Sequence, residues 1–322
     1  MRWTTLEHVS GPPPPVVAVR HRHVGAEGEA RIRAQEGPAD PSVVPSRSRR
    51  ASDVVSAAGV IACLGVGVVL RAWLLSHRPI NSDEAIVGLM ANQILHGHFF
   101  AFYWGQHYGG VEPYAVAAVF AVFGQSPLTL DLTPVLLSCV AAILVWRIAL
   151  RLVRDRRLAA MAGALAWAVP FPTVFQSTVE GGFRGVVSVC GLGVCLAALR
   201  ILDGHRRYRD FVALGLVAGL GWWAVPEIVY FFVPGLVLLA GAVRRRPRTG
   251  PRWWALRLGA SAVAFAVGAL PWLWVNLGSG FVSLRSKGFA GATSPYNHGY
   301  GSRLVTFFQS ALPLQLDLRR LE

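Results

Sequence analysis

The chain has 322 residues, 53% of them hydrophobic and only 15% charged, with a mean hydropathy of +0.45. Soluble domains carry about 25% charged residues, so this composition excludes an ordinary soluble protein and indicates an integral membrane protein. The net charge of +14 would suggest nucleic acid in a soluble chain, but here the arginines fall between apolar runs, as the positive-inside rule requires, and no nucleic-acid partner is expected.

Residues 1–53 are rich in Pro, Arg, Glu and Ala, include "GPPPPV" and lack apolar periodicity. They read as a disordered tail. The basic "SRSRR" at 46–50 places this tail on the cytoplasmic side. Apolar stretches of about 20 residues cross a bilayer, and the candidates are 54–75, 128–150, 158–178, 183–202 and 254–275. The block 211–243 is flanked by "HRRYR" and "RRRPR". If both flanks are cytoplasmic, the block crosses twice, as 211–226 and 228–243, turning at Pro226–Glu227.

The run "PYAVAAVFAVFG" at 113–124 is short for a span and reads as re-entrant or interfacial. Counting it as a span would turn the five arginines of "RIALRLVRDRR" outward. The expectation is therefore an all-α polytopic membrane protein of about seven transmembrane helices, eight being the alternative, with juxtamembrane helices in the first external loop. The transmembrane module covers 54–275, and its first external loop covers 76–127. Residues 276–322 form an external segment. The four cysteines, Cys63, Cys139, Cys190 and Cys195, lie in apolar runs and read as packing residues. Thirty of the 31 basic residues are arginine, Lys287 being the exception; that bias fits a GC-rich bacterial genome.

Of the 17 acidic residues, Asp83, Glu84, Glu112, Asp131, Glu180 and Glu227 fall on or near the external face of this topology. In "RPINSDEAIVGLMANQILHG", 78–97, residues 82–96 read as a helix with Ser82 as N-cap and two acids in its first turn. At about 100° per residue, Asp83 lies on the stripe of Ile86, Val87, Met90 and Ile94, and Glu84 points a quarter-turn away. Asp83 should therefore project into a cleft against the spans, and Glu84 is the ordinary helix-start acid. Glu112 precedes Pro113, a favoured first helical residue. It follows "FYWGQHYGGVEPY", whose rings and amides suit both sugar binding and an interfacial belt. Gln106 and Tyr108 are the candidate substrate contacts there. His96, His98 and His107 share this loop with weak metal spacing, and no metal ligands are assigned. Glu180 and Arg184 read as an exposed ion pair. Arg184, Arg285 and Lys287 are the candidate phosphate-binding cations.

The "DE" just outside the first span, the amphipathic helix, "WGQHYGGVEPYAVAAVFAVFGQSP" and an apolar run ending in arginines together resemble the type C membrane glycosyltransferases. More narrowly, they are similar to bacterial relatives of protein O-mannosyltransferases and of the lipid A aminoarabinose transferase. The resemblance implies transfer of a sugar from a polyprenyl-phosphate carrier to a lipid, glycan or protein hydroxyl, at the outer face of a bacterial cytoplasmic membrane. It implies that Asp83 is required for transfer, with Glu84 beside it, and that Glu112 is the second acid, a divalent cation being an option at that site. Asp131 and Glu180 depart from the pattern, standing where relatives carry basic residues. The usual C-terminal part is missing, so the expectation is a truncated chain, inactive if that part is needed.

Overall fold

A computed structural model describes residues 47–245, 250–285, 305 and 307–315. The chain divides into two units, Met1–Arg50 and Ala51–Glu322, and the second carries everything below. It is an all-α polytopic membrane protein, with no strand among the described residues. The tail 1–46, Lys287 and most of 286–322 lie outside the described residues.

Helix α1 is Arg47–His77, and its stretch Val54–His77 is long and apolar enough to cross a membrane. A short link leads to α2, Ser82–Leu95, and an aromatic loop leads to α3, Glu112–Phe123. At 12 residues α3 spans about 18 Å, too short to cross. Then come α4, Pro127–Val153; α5, Arg156–Ala168; α6, Phe171–Gln176; α7, Arg184–Leu202; and α8, Tyr208–Ala224. A 3₁₀ turn, Pro226–Ile228, leads into α9, Val229–Arg244. Then come α10, Pro251–Gly268, and α11, Leu270–Ser279, bent from each other by 72°, followed by short helical turns at Val282–Arg285, Phe307–Ala311 and Leu312–Gln315.

All seven expected spans coincide with helices, but their lengths differ. Among the described residues four helices are individually long and apolar enough to cross, or five with α10 and α11 taken together. The segment 158–178 is broken between α5 and α6 at Val169–Pro170, since proline disfavours a helical residue before it. Helix α8 has 17 residues, slightly short for a straight crossing. The turn at Pro226–Glu227 is present as the 3₁₀ turn.

Apolar surface facing lipid gives no drive for helices to associate, so small residues that let backbones approach do this work. Gly215 and Gly219 of α8 meet the backbone of Ser261 and Phe265 in α10, and Gly268 of α10 meets Leu216 in return. Any side chain at these positions would collide with backbone. Towards the ends of α8 nearest α10, Phe211 packs on Trp253 and Trp254.

The helix order creates two unlike ends. The C-termini of α4, α7 and α9 and the N-termini of α5, α8 and α10 carry Arg147, Arg151, Arg154, Arg156, Arg157, Arg200, Arg206, Arg207, Arg209, Arg244, Arg245, Arg252 and Arg257. At the opposite end, α2, α3, the loop 96–111 and the link 177–183 gather Asp83, Glu84, Glu112, Asp131 and Glu180 around Arg78 and Arg184. Thirteen arginines thus gather at one end, with Asp155, Asp203 and Asp210 among them, and five acids at the other, which is the structural form of the positive-inside pattern.

Candidate active site

The acidic end is built outward from Arg78, the first residue after α1. Its guanidinium lies 2.6 Å from the Glu84 carboxylate and 2.9 Å from Asp131 of α4, and it donates to the Thr178 carbonyl. One cation thus ties the first loop, a long span and the link before α7. Burial alone would lower the Arg78 pKa, but its two carboxylate partners hold it above the usual value.

The start of α2 corrects the wheel reading. Its N-cap is Asn81, not Ser82: the Asn81 side chain accepts from the Glu84 amide at 2.9 Å, and the Glu84 carboxylate accepts from the Asn81 amide at 2.7 Å. This is a reciprocal capping box. The buried face of α2 runs through Glu84, Val87, Met90 and Ala91, while Asp83 is exposed. Glu84 is the helix-start acid expected, but it, and not Asp83, lies on the packed face. An apolar wheel counts Ile86 and Ile94 as core, yet both are only half-buried. Nor can it register that Arg78 neutralises a carboxylate on the packed side. Glu84 also accepts from the Glu180 amide at 3.2 Å.

Glu112 is buried under the same surface. Its oxygens accept from the amides of Gly185 and Val186 at 3.3 and 3.4 Å, the first turn of α7. A carboxylate from α3 thus satisfies donors that the start of a helix leaves free. Gly185 has no side chain because a Cβ there would meet Leu137 at 2.6 Å and the Glu112 carboxylate at 2.9 Å.

Glu180 is fully buried, and it forms no ion pair with Arg184 among the described residues, which corrects the expected exposed pair. One oxygen accepts from the Gly182 amide at 3.0 Å, and the carboxyl also lies against that of Glu112. Burial pushes the Glu112 carboxyl up to about 7, against the Val186 and Gly185 amides and the charge of Arg184. Burial first, and then the charge of Glu112, hold Glu180 well above the ordinary carboxyl range. Two interacting buried carboxyls cannot both ionise cheaply, so this pair retains a proton.

Above this foundation lies a polar cleft of 290 Å³, lined by Asn81, Asp83, Tyr103, Gln106, Tyr108 and Arg184 with the link 179–183. Asp83, Gln106, Tyr108 and Arg184 of the expected site meet here. Glu84 and Glu112 do not; they lie behind the wall. The Arg285 side chain and Lys287 are outside the described residues. Tyr103 donates to the Asp83 carbonyl at 3.1 Å, and burial with nearby Asp83 pushes its hydroxyl up to about 12, so it stays a donor. The Tyr108 ring meets Phe183 edge-on. The aromatic loop is fixed from below, where the Gly109 amide donates to the Ala224 carbonyl at 2.6 Å and the Trp223 indole donates to the Ala101 carbonyl at 2.6 Å. No group of three or more His, Cys, Asp or Glu among the described residues is arranged to hold a metal.

Beside the cleft runs a second cavity of 320 Å³, lined mainly by apolar and small residues of α4, α5 and α7, such as Leu137, Ala141, Val145, Ala166 and Leu192. The cavities share Val179 and Arg184. Arg184 therefore stands where an apolar groove passes into a cleft bearing an exposed carboxylate.

Sequence reasoning missed Arg78 and underrated Glu180. The available signal for Arg78 was a lone arginine after a span, within six positions of two acids.

The scaffold is that of a multi-pass membrane protein, and the family its sequence matches is one of membrane glycosyltransferases. The chain belongs to the dolichyl-phosphate-mannose-protein mannosyltransferase family, whose sequence model matches residues 110–274. That range contains Glu112, Asp131, Glu180 and Arg184; Asp83 and Tyr108 precede it. Searches of curated proteins and of solved structures found no match.

Proposed function

We propose that this protein transfers a sugar from a polyprenyl-phosphate carrier to an acceptor hydroxyl at the outer face of a bacterial cytoplasmic membrane, with its N-terminus inside. The observation carrying this reading is the junction at Arg184. An apolar groove suits an isoprenoid chain, a guanidinium at its mouth suits the phosphate, and a polar cleft beyond it suits the sugar. The gathering of arginines at the other end supports the orientation.

In the proposed step the acceptor oxygen attacks the anomeric carbon while its proton passes to the Asp83 carboxylate. The bond from that carbon to the phosphate oxygen breaks, and the electron pair leaves with the phosphate. A phosphate is a stable anion without protonation, so one base suffices, unlike glycoside hydrolysis with its acid and base pair. Arg184 stabilises the departing charge. Attack opposite a single leaving group inverts the anomeric carbon. Gln106 and Tyr108 contact the sugar or the acceptor. Glu112, placed by the sequence among the catalytic acids, is a positioning residue in this reading: it fixes the start of the helix that carries Arg184. Glu84 likewise holds the link 178–180 in place.

The test is sugar transfer in membranes supplied with a panel of polyprenyl-phosphate sugars and lipid, glycan or peptide acceptors. Transfer by the parent chain that Asp83→Asn abolishes supports the reading. Donor binding without transfer by the parent would instead make this a lipid-binding protein.

A further inference from the structure

A third cavity lies at the end opposite the cleft. It has 380 Å³ and is lined by Gly193, Leu196, Ala197 and Arg200 of α7 and by Arg209, Asp210 and Ala213 of α8. From Arg184 to Arg200 is 16 residues along α7, about 24 Å, so this cavity is separate from the active site.

Its walls differ along its length. At the mouth, Arg200 places Nε and Nη2 on one oxygen of Asp210, at 3.3 and 2.9 Å. Asp210 also accepts from the Arg207 amide through its other oxygen, at 3.2 Å. These contacts fix the Arg200 guanidinium at the rim and cancel the charge of Asp210. Arg209 is exposed and makes no ion pair among the described residues. The mouth thus carries one net positive charge within reach of two guanidinium groups. Deeper, Gly193, Ala197 and Ala213 are small, which opens a trough between two lipid-facing helices.

We infer that this trough holds one anionic glycerophospholipid, with its phosphate between Arg200 and Arg209 and one acyl chain against Gly193, Ala197 and Ala213. Charge complementarity selects the headgroup, since basic pockets between membrane helices recognise anionic lipids. The trough selects a lipid over free phosphate, because a phosphate alone leaves the apolar wall uncovered. The competing account is that Arg209 is one of many flanking arginines attracting anionic lipid without a defined site.

The experiment uses the full chain in nanodiscs of phosphatidylcholine mixed with phosphatidylglycerol. Native mass spectrometry then reads the fraction of protein retaining each lipid on release. The inference expects phosphatidylglycerol to be retained over phosphatidylcholine. It expects Arg209→Gln to reduce that retention several-fold, Ala213→Trp to do the same by filling the trough with the charge intact, and Arg156→Gln to leave it unchanged. Arg156 is an exposed arginine at the same end, outside the trough. Equal loss for Arg156→Gln and Arg209→Gln, or full retention in Ala213→Trp, overturns the site. All three positions are on the surface, and circular dichroism confirms that each variant folds. The readout needs no sugar transfer, so it stands or falls apart from the enzymatic reading.

Discussion

The Arg78 guanidinium and the Glu84 carboxylate meet at 2.6 Å, and the same arginine nitrogen lies 2.9 Å from Asp131. The side chains are 11%, 0% and 7% exposed, so removing the cation strands two carboxylates out of water. Breaking such a buried pair from one side costs about 3–5 kcal/mol. Arg78→Met should therefore lower the melting temperature of the detergent-solubilised protein more than any change in the cleft. Arg78→Lys should recover part of the loss, because an ammonium keeps the charge but cannot match the planar fork. A melting curve like that of the parent for Arg78→Met would remove this residue from the foundation of the site.

The adjacent acids of α2 should separate under mutation. Asp83→Asn keeps the shape of an exposed side chain, so the expected outcome is unchanged melting with transfer lowered by about 10²–10⁴, the usual worth of a general base. Glu84→Gln keeps the capping geometry but removes the charge opposite Arg78, so melting should fall. Measuring both properties on both variants decides which acid serves chemistry and which serves the fold.

How far this division was legible beforehand depends on the interaction. Hydropathy and the placement of arginines carry the membrane class, the helical segments and the turn at Pro226–Glu227, because these depend on local composition. The wheel put Asp83 instead of Glu84 on the packed face because burial of Glu84 is set by a residue outside the helix, Arg78, and by the Glu180 amide 96 positions away. Glu112 illustrates the same limit. Its place at the start of α3 is visible locally, but its bonds to Gly185 and Val186 depend on how α3 packs against α7. Non-local electrostatics is what the pattern of a single chain cannot display.

The retained proton of the Glu112 and Glu180 pair gives stability a pH dependence. Glu112 titrates at about 7 in the folded protein against a reference value of 4.5, so between these limits the folded state binds more protons than the unfolded one. Linkage then makes stability fall as pH rises through this window, and Glu180, raised by burial and by Glu112, adds to the fall. Melting temperatures from about pH 4.5 to 7 should decline for the parent and decline less steeply for Glu112→Gln, which keeps the shape and one acceptor for the α7 amides while Glu180 stays buried. An equal slope in both would assign the titration elsewhere.

The junction of groove and cleft predicts that donor head and donor tail can be impaired independently. Arg184 is exposed, with no ion pair among the described residues, so Arg184→Gln should leave melting unchanged. It removes one hydrogen bond to a charged group, worth about 1.5–3 kcal/mol, and should weaken donor use about 10- to 100-fold whatever the length of the isoprenoid. Ser188 lines the groove one helical turn further along α7 and is exposed. Ser188→Trp would fill the groove and displace part of the chain. At about 0.8 kcal/mol per buried methylene, losing two such groups raises KM about tenfold for a long-chain donor. A donor truncated to one isoprene unit does not reach that depth and should be used equally by parent and variant. KM measured against chain length for both variants therefore separates the roles: a uniform penalty for Arg184→Gln and a length-dependent one for Ser188→Trp. A penalty for Ser188→Trp that ignores chain length would place the lipid elsewhere.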